Sequence, residues 1–284
     1  MNQNNENPIR TDPLDMMQSQ QVLDIQVIEK QINMAFPCYV KNDQSWSKIE
    51  ILWDEFHELY EKEEYEKILG IMDKIIQIKP DDQYAYMYKA YAFDELKQYK
   101  ESLKCLGASL DIDEKFIRAL NIKGCVFTNL KRYDEAIDWY DKALKIKPDD
   151  IRVLHNKCLT LDNDLKRYDE ALDCYDKILT YTPKSVQMLN NKGIVLIHLK
   201  RYNEAIDCYD KALEIDPNYK KVLYNKGNSL YYLKRYNESI NWYDKALEID
   251  PKDVGSLIGT GNSLHDLKRY DEAIDWYDKA LEID

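Results

Sequence analysis

The side chains able to do covalent or metal chemistry are few in this chain, and their spacing predicts no catalytic site. It has four histidines and six cysteines. No two cysteines form a Cys-x-x-Cys pair, and none stands at metal-site spacing from a histidine. A phosphate-binding glycine loop, a His-Glu-x-x-His motif and a nucleophile elbow are all absent from the sequence. We therefore predict no enzyme activity, no cofactor and no metal.

Three asparagines recur at nearly constant spacing and offer a different chemistry. Asn156, Asn191 and Asn225 are 35 and 34 residues apart. A side-chain amide both donates and accepts hydrogen bonds, so a column of amides can hold the main chain of an extended peptide with little regard to its sequence. The alternative interpretation is that these amides only bond to neighbouring backbone.

The asparagines belong to a 34-residue repeat that extends over most of the chain. The phrase LKRYDEAIDWYDKAL starts at Leu130. It returns in closely related form at Leu165, Leu199, Leu233 and Leu267. Seven units fill residues 49–284, so the length of 284 residues predicts one array rather than two domains. The predicted units are 49–82, 83–116, 117–150, 151–185, 186–219, 220–253 and 254–284.

Each unit is predicted to form two short amphipathic helices. In the third unit Leu120, Gly124 and Phe127 share one stripe at i, i+4 and i+7, and a second stripe follows after the turn. Small residues at the eighth and twentieth positions of the unit allow the two helices to approach closely. Proline ends most units, and a capping residue follows two positions later. The predicted N-caps are Asp82, Asp150, Ser185 and Asp253.

The period and its fixed positions resemble the tetratricopeptide repeat. Tyrosine stands at the seventeenth position, a small residue at the twentieth and proline at the thirty-second in most units. The resemblance covers residues 49–284. It implies an all-α, right-handed superhelical solenoid of antiparallel helix pairs, whose first helices line a concave groove. It also implies a protein that binds other proteins and catalyses no reaction.

The family presents the second, fifth, sixth and ninth residues of each unit, among others, to its ligand. The resemblance therefore implies the groove residues Arg118, Asn121, Arg152, His155, Asn156, Asn190, Asn191, Lys221, Tyr224, Asn225, Asn228 and Asn262. The asparagine column is similar to the asparagine ladder of O-linked N-acetylglucosamine transferases. The three bases favour an acidic or C-terminal peptide segment. The lysine and asparagine spacing of the clamp that binds chaperone tails is absent.

Charge and hydropathy exclude several classes of partner. Forty basic against fifty-two acidic residues give a net charge of −12, which argues against nucleic acid and against an anionic membrane surface. The first twenty residues contain no apolar stretch of signal-peptide length, and nowhere do about 18 apolar residues run together. We predict a cytoplasmic protein, with nuclear or cytoskeletal association left open.

The two ends of the chain differ from the array. Residues 1–20 are rich in Asn and Gln and are predicted to be a disordered tail. Residues 21–48 are predicted to contain a short helix over Val22–Phe36, which either caps the first unit or occupies the groove. The last unit stops at Asp284 without a polar capping helix, and its apolar face predicts a docked partner, self-association or a truncated chain.

The function predicted from these features is that of a scaffold or adaptor for protein–protein interaction. It would bind an extended peptide segment of a partner in the concave groove. The alternative is a non-catalytic, substrate-recruiting or targeting subunit of an enzyme or trafficking complex. The identity of the partner does not follow from the sequence.

Overall fold

A computed structural model of the protein describes residues 44–283, and within that range the chain forms helices and no β-strand. The helices are α1 Gln44–Glu61, α2 Tyr65–Ile78, α3 Gln83–Glu95, α4 Tyr99–Ile112, α5 Ile117–Asn129, α6 Tyr133–Ile146, α7 Ile151–Leu159, α8 Tyr168–Tyr181, α9 Val186–His198, α10 Tyr202–Ile215, α11 Lys220–Tyr232, α12 Tyr236–Ile249, α13 Val254–Asp266 and α14 Tyr270–Leu281. A π-helical turn, Thr160–Asp164, follows α7.

The helices pack in consecutive pairs, and neighbouring pairs stack on one another. The described residues divide into two compact units, an N-terminal unit of residues 44–166 and a C-terminal unit of residues 167–283. We call α1, α3, α5 and α7 the first helices of the N-terminal unit, and α9, α11 and α13 those of the C-terminal unit. This stacking of two-helix repeats is the all-α class predicted from the period.

The turn inside each pair contains one residue in the left-handed conformation. Lys200 has a φ of 59°. Its N–H donates to the Ile197 carbonyl at 2.8 Å, and the N–H of Arg201 donates to the Leu196 carbonyl at 2.8 Å, so both bonds satisfy carbonyls at the end of α9. A positive φ recurs at Glu63, Lys97, Lys131, Lys166, Lys234 and Lys268. A side chain costs about 1 kcal/mol in this conformation, which glycine would adopt freely.

The joints between pairs are capped as the sequence predicts. The Asp82 carboxylate accepts hydrogen bonds from the N–H groups of Tyr84 and Ala85 at 3.0 and 3.1 Å. The same capping role is filled by Asp150, Ser185 and Asp253. Phe116 and Tyr219 precede the other two first helices, α5 and α11, and their side chains make no capping hydrogen bond. The four predicted N-caps are therefore confirmed.

The small residue at the eighth position makes room for a tyrosine of the second helix. Gly124 on α5 lies against Tyr140 on α6, whose ring is fully buried. A Cβ placed on Gly124 would be 2.7 Å from Tyr140 Cδ1 and closer still to Cε1. The same contact recurs between Gly227 and Tyr243 and between Gly261 and Tyr277. The close approach predicted from small residues is thus required by a buried aromatic ring.

Ion pairs join consecutive helix pairs within each unit. Lys157 Nζ on α7 lies 2.6 Å from Asp141 Oδ1 on α6. Equivalent pairs join Lys89 to Asp73, Lys192 to Asp176 and Lys226 to Asp210. The aspartates are about half exposed, so each pair contributes about 0–1 kcal/mol to stability.

The extra residue of the fourth repeat is taken up inside a helix. The sequence places the insertion near Asn163, and the π-helical turn Thr160–Asp164 lies there. The Leu165 N–H donates to the Thr160 carbonyl at 3.1 Å, which spans five residues instead of four. Thr160 Oγ1 also lies 3.2 Å from Thr128 Oγ1, so a polar contact links α7 to α5.

The predictions for the ends of the chain fall partly outside the described residues. The disordered tail over 1–20 and the helix over Val22–Phe36 both lie there. Helix α1 begins at Gln44, ahead of the predicted start of the first unit at 49. On α14, Ile274 and Leu281 are each more than half exposed, so this helix has apolar groups on its open side.

Candidate functional site

The predicted site residues lie on first helices of both units. Within each unit neighbouring first helices touch: α3 contacts α5, α9 contacts α11, and α11 contacts α13. Five of the predicted residues are on α5 and α7 in the N-terminal unit, and seven are on α9, α11 and α13 in the C-terminal unit. The asparagine column is divided between the units, with Asn156 in the N-terminal one.

A cavity of about 320 Å³, partly open to solvent, lies between the first helices of the N-terminal unit. Its apolar wall consists of Tyr60, Met87, Tyr88, Tyr91 and Ile122. Its polar lining consists of Arg118, Asn121 and Arg152, all partly exposed. We call it the tyrosine–arginine cavity. The fold therefore brings together three of the predicted site residues, which are 3 and 31 residues apart in sequence.

The two arginines of this cavity are anchored by neighbouring groups. Arg152 donates from Nε to Asp150 Oδ1 at 3.3 Å and from a terminal nitrogen to Oδ2 at 3.1 Å. Burial favours a higher pKa for the Asp150 carboxyl, but the bonds and charge of Arg152 outweigh it and leave that pKa below its usual value. Burial raises the pKa of Tyr88 to about 12, although a hydrogen bond from Arg118 and its charge oppose the rise. Tyr88 is therefore neutral at pH 7.

Two predicted site residues of the N-terminal unit are buried next to this cavity. Asn156 Nδ2 donates to Asn121 Oδ1 at 3.1 Å and to Cys125 Sγ at 3.3 Å, so it joins α7 to α5. The His155 side chain is 3% exposed, and its Nε2 has no hydrogen-bond partner. Burial lowers the pKa of His155 to about 4, because the charged imidazolium loses its hydration. His155 is therefore neutral at pH 7 and offers little surface to a ligand.

The asparagines of the C-terminal unit bond to one another. Asn225 Nδ2 on α11 donates to Asn190 Oδ1 on α9 at 2.8 Å, and Asn190 Nδ2 lies 3.4 Å from Asn191 Oδ1. All three side chains are buried, and Asn225 Oδ1 has no hydrogen-bond partner. These amides thus bond to side chains, neither to backbone nor to open solvent.

Two further asparagines accept hydrogen bonds from the buried tyrosines. The Tyr243 hydroxyl donates to Asn228 Oδ1 at 2.6 Å, and the Tyr277 hydroxyl donates to Asn262 Oδ1 at 2.9 Å. Burial raises the pKa of Tyr243 well above its usual value, so this hydroxyl remains a donor at neutral pH. Asn228 and Asn262 therefore fix the packing of a first helix on its own second helix.

The exposed part of α11 lies at its two ends. Lys221 is partly exposed near the start of the helix, whereas Tyr224 is buried and its ring centroid lies 5.9 Å from that of Tyr243. Tyr231 and Tyr232 are partly exposed near the end, with ring centroids 5.8 Å apart. In the C-terminal unit a ligand would thus meet a lysine and an aromatic pair before it met the asparagines.

Four residues that line the cavity are missing from the predicted site. They are Tyr60, Met87, Tyr88 and Tyr91. They occupy the twelfth, fifth, sixth and ninth positions of the first two repeats, which are positions that the tetratricopeptide resemblance assigns to ligand. The sequence-based set starts at the third repeat, and the same positional rule applied to the first two would have included them.

The remaining chemistry of the described chain is non-covalent. Over residues 44–283 no three His, Cys, Asp or Glu side chains are grouped so as to hold a metal ion. The same range contains no helix with the length and hydropathy needed to span a bilayer. His198 stacks on Tyr168 with ring centroids 4.7 Å apart, and His265 Nδ1 lies 3.3 Å from Asp266 Oδ1. The described side chains offer hydrogen bonds, ion pairs and apolar contacts to a binding partner.

Comparison with known families identifies the repeats. Tetratricopeptide-repeat models match residues 117–150, 186–219, 221–253 and 255–284. The chain belongs to the tetratricopeptide-repeat family. The resemblance inferred from the sequence period is thereby confirmed. Proteins built from these repeats act in protein–protein interaction, and that general role is supported for this chain.

A curated relative matches only a part of the tetratricopeptide-repeat array. The TPR repeat-containing protein MJ1345 of Methanocaldococcus jannaschii is 33% identical over 76 residues. These residues are 27% of this chain and 24% of the relative. The chain therefore matches about a quarter of that relative's length.

Solved tetratricopeptide-repeat structures share the fold over longer stretches. A tetratricopeptide repeat protein from Parabacteroides merdae has a TM-score of 0.62 at 16% identity, covering 85% of this chain and 94% of its own. The protein pilF of Pseudomonas aeruginosa has a TM-score of 0.57 at 23% identity, with coverages of 70% and 90%. YrrB, described as a TPR protein with an unusual peptide-binding site, has a TM-score of 0.55 at 21% identity, with coverages of 66% and 95%. At these identities the likeness establishes the fold.

Proposed function

We propose that this tetratricopeptide-repeat protein is an interaction scaffold that holds an extended segment of a partner protein against its first helices. The observation that carries the proposal is the tyrosine–arginine cavity. There, partly exposed donor groups of Arg118, Asn121 and Arg152 meet an apolar wall on four successive first helices. A concave site with an apolar wall and a few converging polar groups is the usual form of a ligand pocket.

An extended peptide suits such a surface. Its side chains alternate between two sides, so one side chain can enter the cavity while main-chain groups remain near the rim. YrrB, which shares this fold at 21% identity, is described as having an unusual peptide-binding site, and this is a precedent for peptide binding on such repeats. The residue-level support comes from the cavity of this chain alone.

The asparagines have a supporting role in this proposal. Asn225, Asn190 and Asn156 hold neighbouring first helices in register through their mutual hydrogen bonds. The unpartnered Asn225 Oδ1 is an acceptor for an N–H group of the ligand main chain. The partly exposed residues make the first contacts with the ligand, and the protein itself carries out no chemical step.

A peptide array tests this function with the full-length protein. The wild type is expected to bind a subset of extended decapeptides, since apolar and polar contacts are available in one place. Tyr91→Ala removes part of the cavity wall and should weaken the bound set at least fivefold. Lys104→Ala, an exposed position on α4 outside the cavity, is the matched control and should bind as the wild type does. The proposal is refuted if no peptide binds, or if both variants lose binding equally while their melting curves match the wild type.

A further inference from the structure

We infer that the tyrosine–arginine cavity recognises a single carboxylate of the bound peptide together with the apolar side chain next to that carboxylate. This inference rests on the proposed function, because it names the chemistry of the partner at the same surface. Nothing in the relatives or in the family match assigns a ligand to these residues.

The charge of the cavity favours a monoanion. Arg118 and Arg152 line it, and the Asp150 carboxylate bound to Arg152 is the direct acidic neighbour. Together these three groups carry one net positive charge, which one carboxylate balances and a dianionic phosphate would exceed. Lys147 reaches Asp150 from outside the cavity at 3.9 Å and is about half exposed. The carboxylate of Glu95 acts on Tyr91 at the far wall, which places the positive charge on the side of α5 and α7.

The hydrogen-bond groups of the cavity are donors. Asn121 Oδ1 already accepts a bond from Asn156 Nδ2, so the amide of Asn121 offers its Nδ2 hydrogens to a ligand. A guanidinium carries five N–H donors in a planar fork, so Arg118 can bind the Tyr88 hydroxyl and a carboxylate oxygen together. Three donor-bearing side chains around one space leave a neutral carbonyl undersupplied with charge and suit an anionic oxygen pair.

The opposite wall of the cavity suits an apolar side chain. Tyr60, Met87 and Ile122 are buried, and the Tyr60 and Tyr91 ring centroids are 5.7 Å apart. A volume of about 320 Å³ is at the lower end of ligand pockets, which range over about 300–1,000 Å³. The cavity therefore has room for one side chain and its neighbouring carboxylate, and this pairing gives the ligand both a charge requirement and an apolar requirement.

The test uses the full-length protein and an array in which each decapeptide background, with one Phe or Leu, is present in five forms. These forms carry a free C-terminal carboxylate after the apolar residue, a C-terminal amide, an internal Asp after the apolar residue, an internal Asn there, and a phosphoserine there. We expect the free-acid or the Asp form to bind at least tenfold more tightly than the amide and Asn forms. The choice between the first and third forms identifies the source of the carboxylate.

Variants connect the preference to the two arginines. Arg118→Gln alone, and together with Arg152→Gln, should abolish the tenfold preference, and binding should weaken as salt is raised. Arg118→Gln leaves the Asp150 cap untouched and so separates recognition from folding. Arg132→Gln, a turn arginine of the same unit bonded to Glu135, is the matched control and should keep the preference.

Three outcomes would overturn the inference. Neutral forms that bind as tightly as carboxylate forms, or phosphoserine forms that bind more tightly, would remove the carboxylate assignment. A preference that survives in the double variant would place recognition elsewhere. In both cases peptide binding that is lost in Tyr91→Ala would leave the proposed function standing. Absence of binding by every form would remove the proposed function and this inference together.

Discussion

Replacement of Gly124 by alanine tests why the eighth position of a repeat is small. Gly124 lies in the middle of α5, where alanine is the better helix former by about 1 kcal/mol. If only helix propensity mattered, the variant would be more stable than the wild type. The structure predicts the opposite sign, because the added methyl group would meet the ring of Tyr140.

The magnitude follows from the contact. The new Cβ would lie 2.7 Å from Tyr140 Cδ1 and 2.8 Å from Cζ, well inside van der Waals distance. Tyr140 is buried, and its hydroxyl lies 3.4 Å from Thr128 Oγ1, so the ring cannot swing into solvent to relieve the clash. Overpacking of this kind costs about 1–3 kcal/mol and can cost more. After the gain in helix propensity, the expected net loss is about 1–2 kcal/mol.

Gly107 provides a matched control in the same unit. It lies in the interior of α4, and a Cβ built there has no heavy atom within 4 Å. Gly107→Ala should therefore stabilise the protein by about 0.5–1 kcal/mol through helix propensity alone. The two substitutions change the sequence identically and differ only in the space around the new methyl group.

Urea unfolding followed by far-ultraviolet circular dichroism measures both variants against the wild type. Repeat arrays can unfold in more than one step, so the comparison uses the midpoint of the transition to which the N-terminal unit contributes. The expected midpoints lie below the wild type for Gly124→Ala and above it for Gly107→Ala. Two midpoints that rise together would refute the close contact between α5 and α6.

Further changes test other features of the fold. His155→Gln should remove the loss of up to about 3 kcal/mol that the wild type shows between pH 6.5 and pH 4, because burial depresses the pKa of this histidine to about 4 and protons bind the unfolded chain first; urea titrations across that range measure it. Lys200→Gly should raise stability by about 0.5–1 kcal/mol in thermal melting, since glycine adopts the positive φ freely. Asn225→Ala should cost about 1–3 kcal/mol in chemical denaturation, because buried Asn190 Oδ1 loses its donor. Ala205→Leu should cost about 1–3 kcal/mol in melting, because this fully buried site has no room for a larger side chain.

Each of these predictions has a control or a contrary outcome. His265→Gln changes a half-exposed histidine and should keep the acid slope of the wild type, whereas a His155 variant with that slope would show that burial does not keep the imidazole neutral. Lys200→Ala retains a Cβ and should not stabilise. An unchanged midpoint for the Asn225 variant would show that the amide bond contributes nothing. An unchanged melting curve for the Ala205 variant would misplace that residue in the core.

The repeat pattern predicts most of the fold because its determinants are local. A period of 34 residues, an aspartate or serine two positions after proline and small residues at fixed positions each act within one or two turns of helix. In a stacked array every pair contacts its neighbours, so one correctly read repeat predicts the others. The one departure, the insertion near Asn163, is visible in the sequence, but its absorption into the π-helical turn Thr160–Asp164 is not.

The candidate site was only partly predictable. Position within the repeat correctly placed Arg118, Asn121 and Arg152 beside one another. The same rule gave His155 and Asn225 equal standing, although both are buried and the latter bonds to a side chain on the next first helix. Exposure depends on how far neighbouring helices rotate and approach, and a displacement of about one ångström decides between a solvent-facing amide and a buried hydrogen bond.

The sequence by itself therefore determined the architecture of this protein: the number and length of its helices, the turns and caps that join them, and membership of the tetratricopeptide-repeat family. The tertiary structure decided which of the first-helix side chains a ligand can reach. It closed the asparagines into bonds with one another and left a cavity in which tyrosines of the first two repeats face arginines of the next two. The physical reason is that helix formation depends on neighbours along the chain, whereas accessibility and charge complementarity depend on side chains that only stacking brings together.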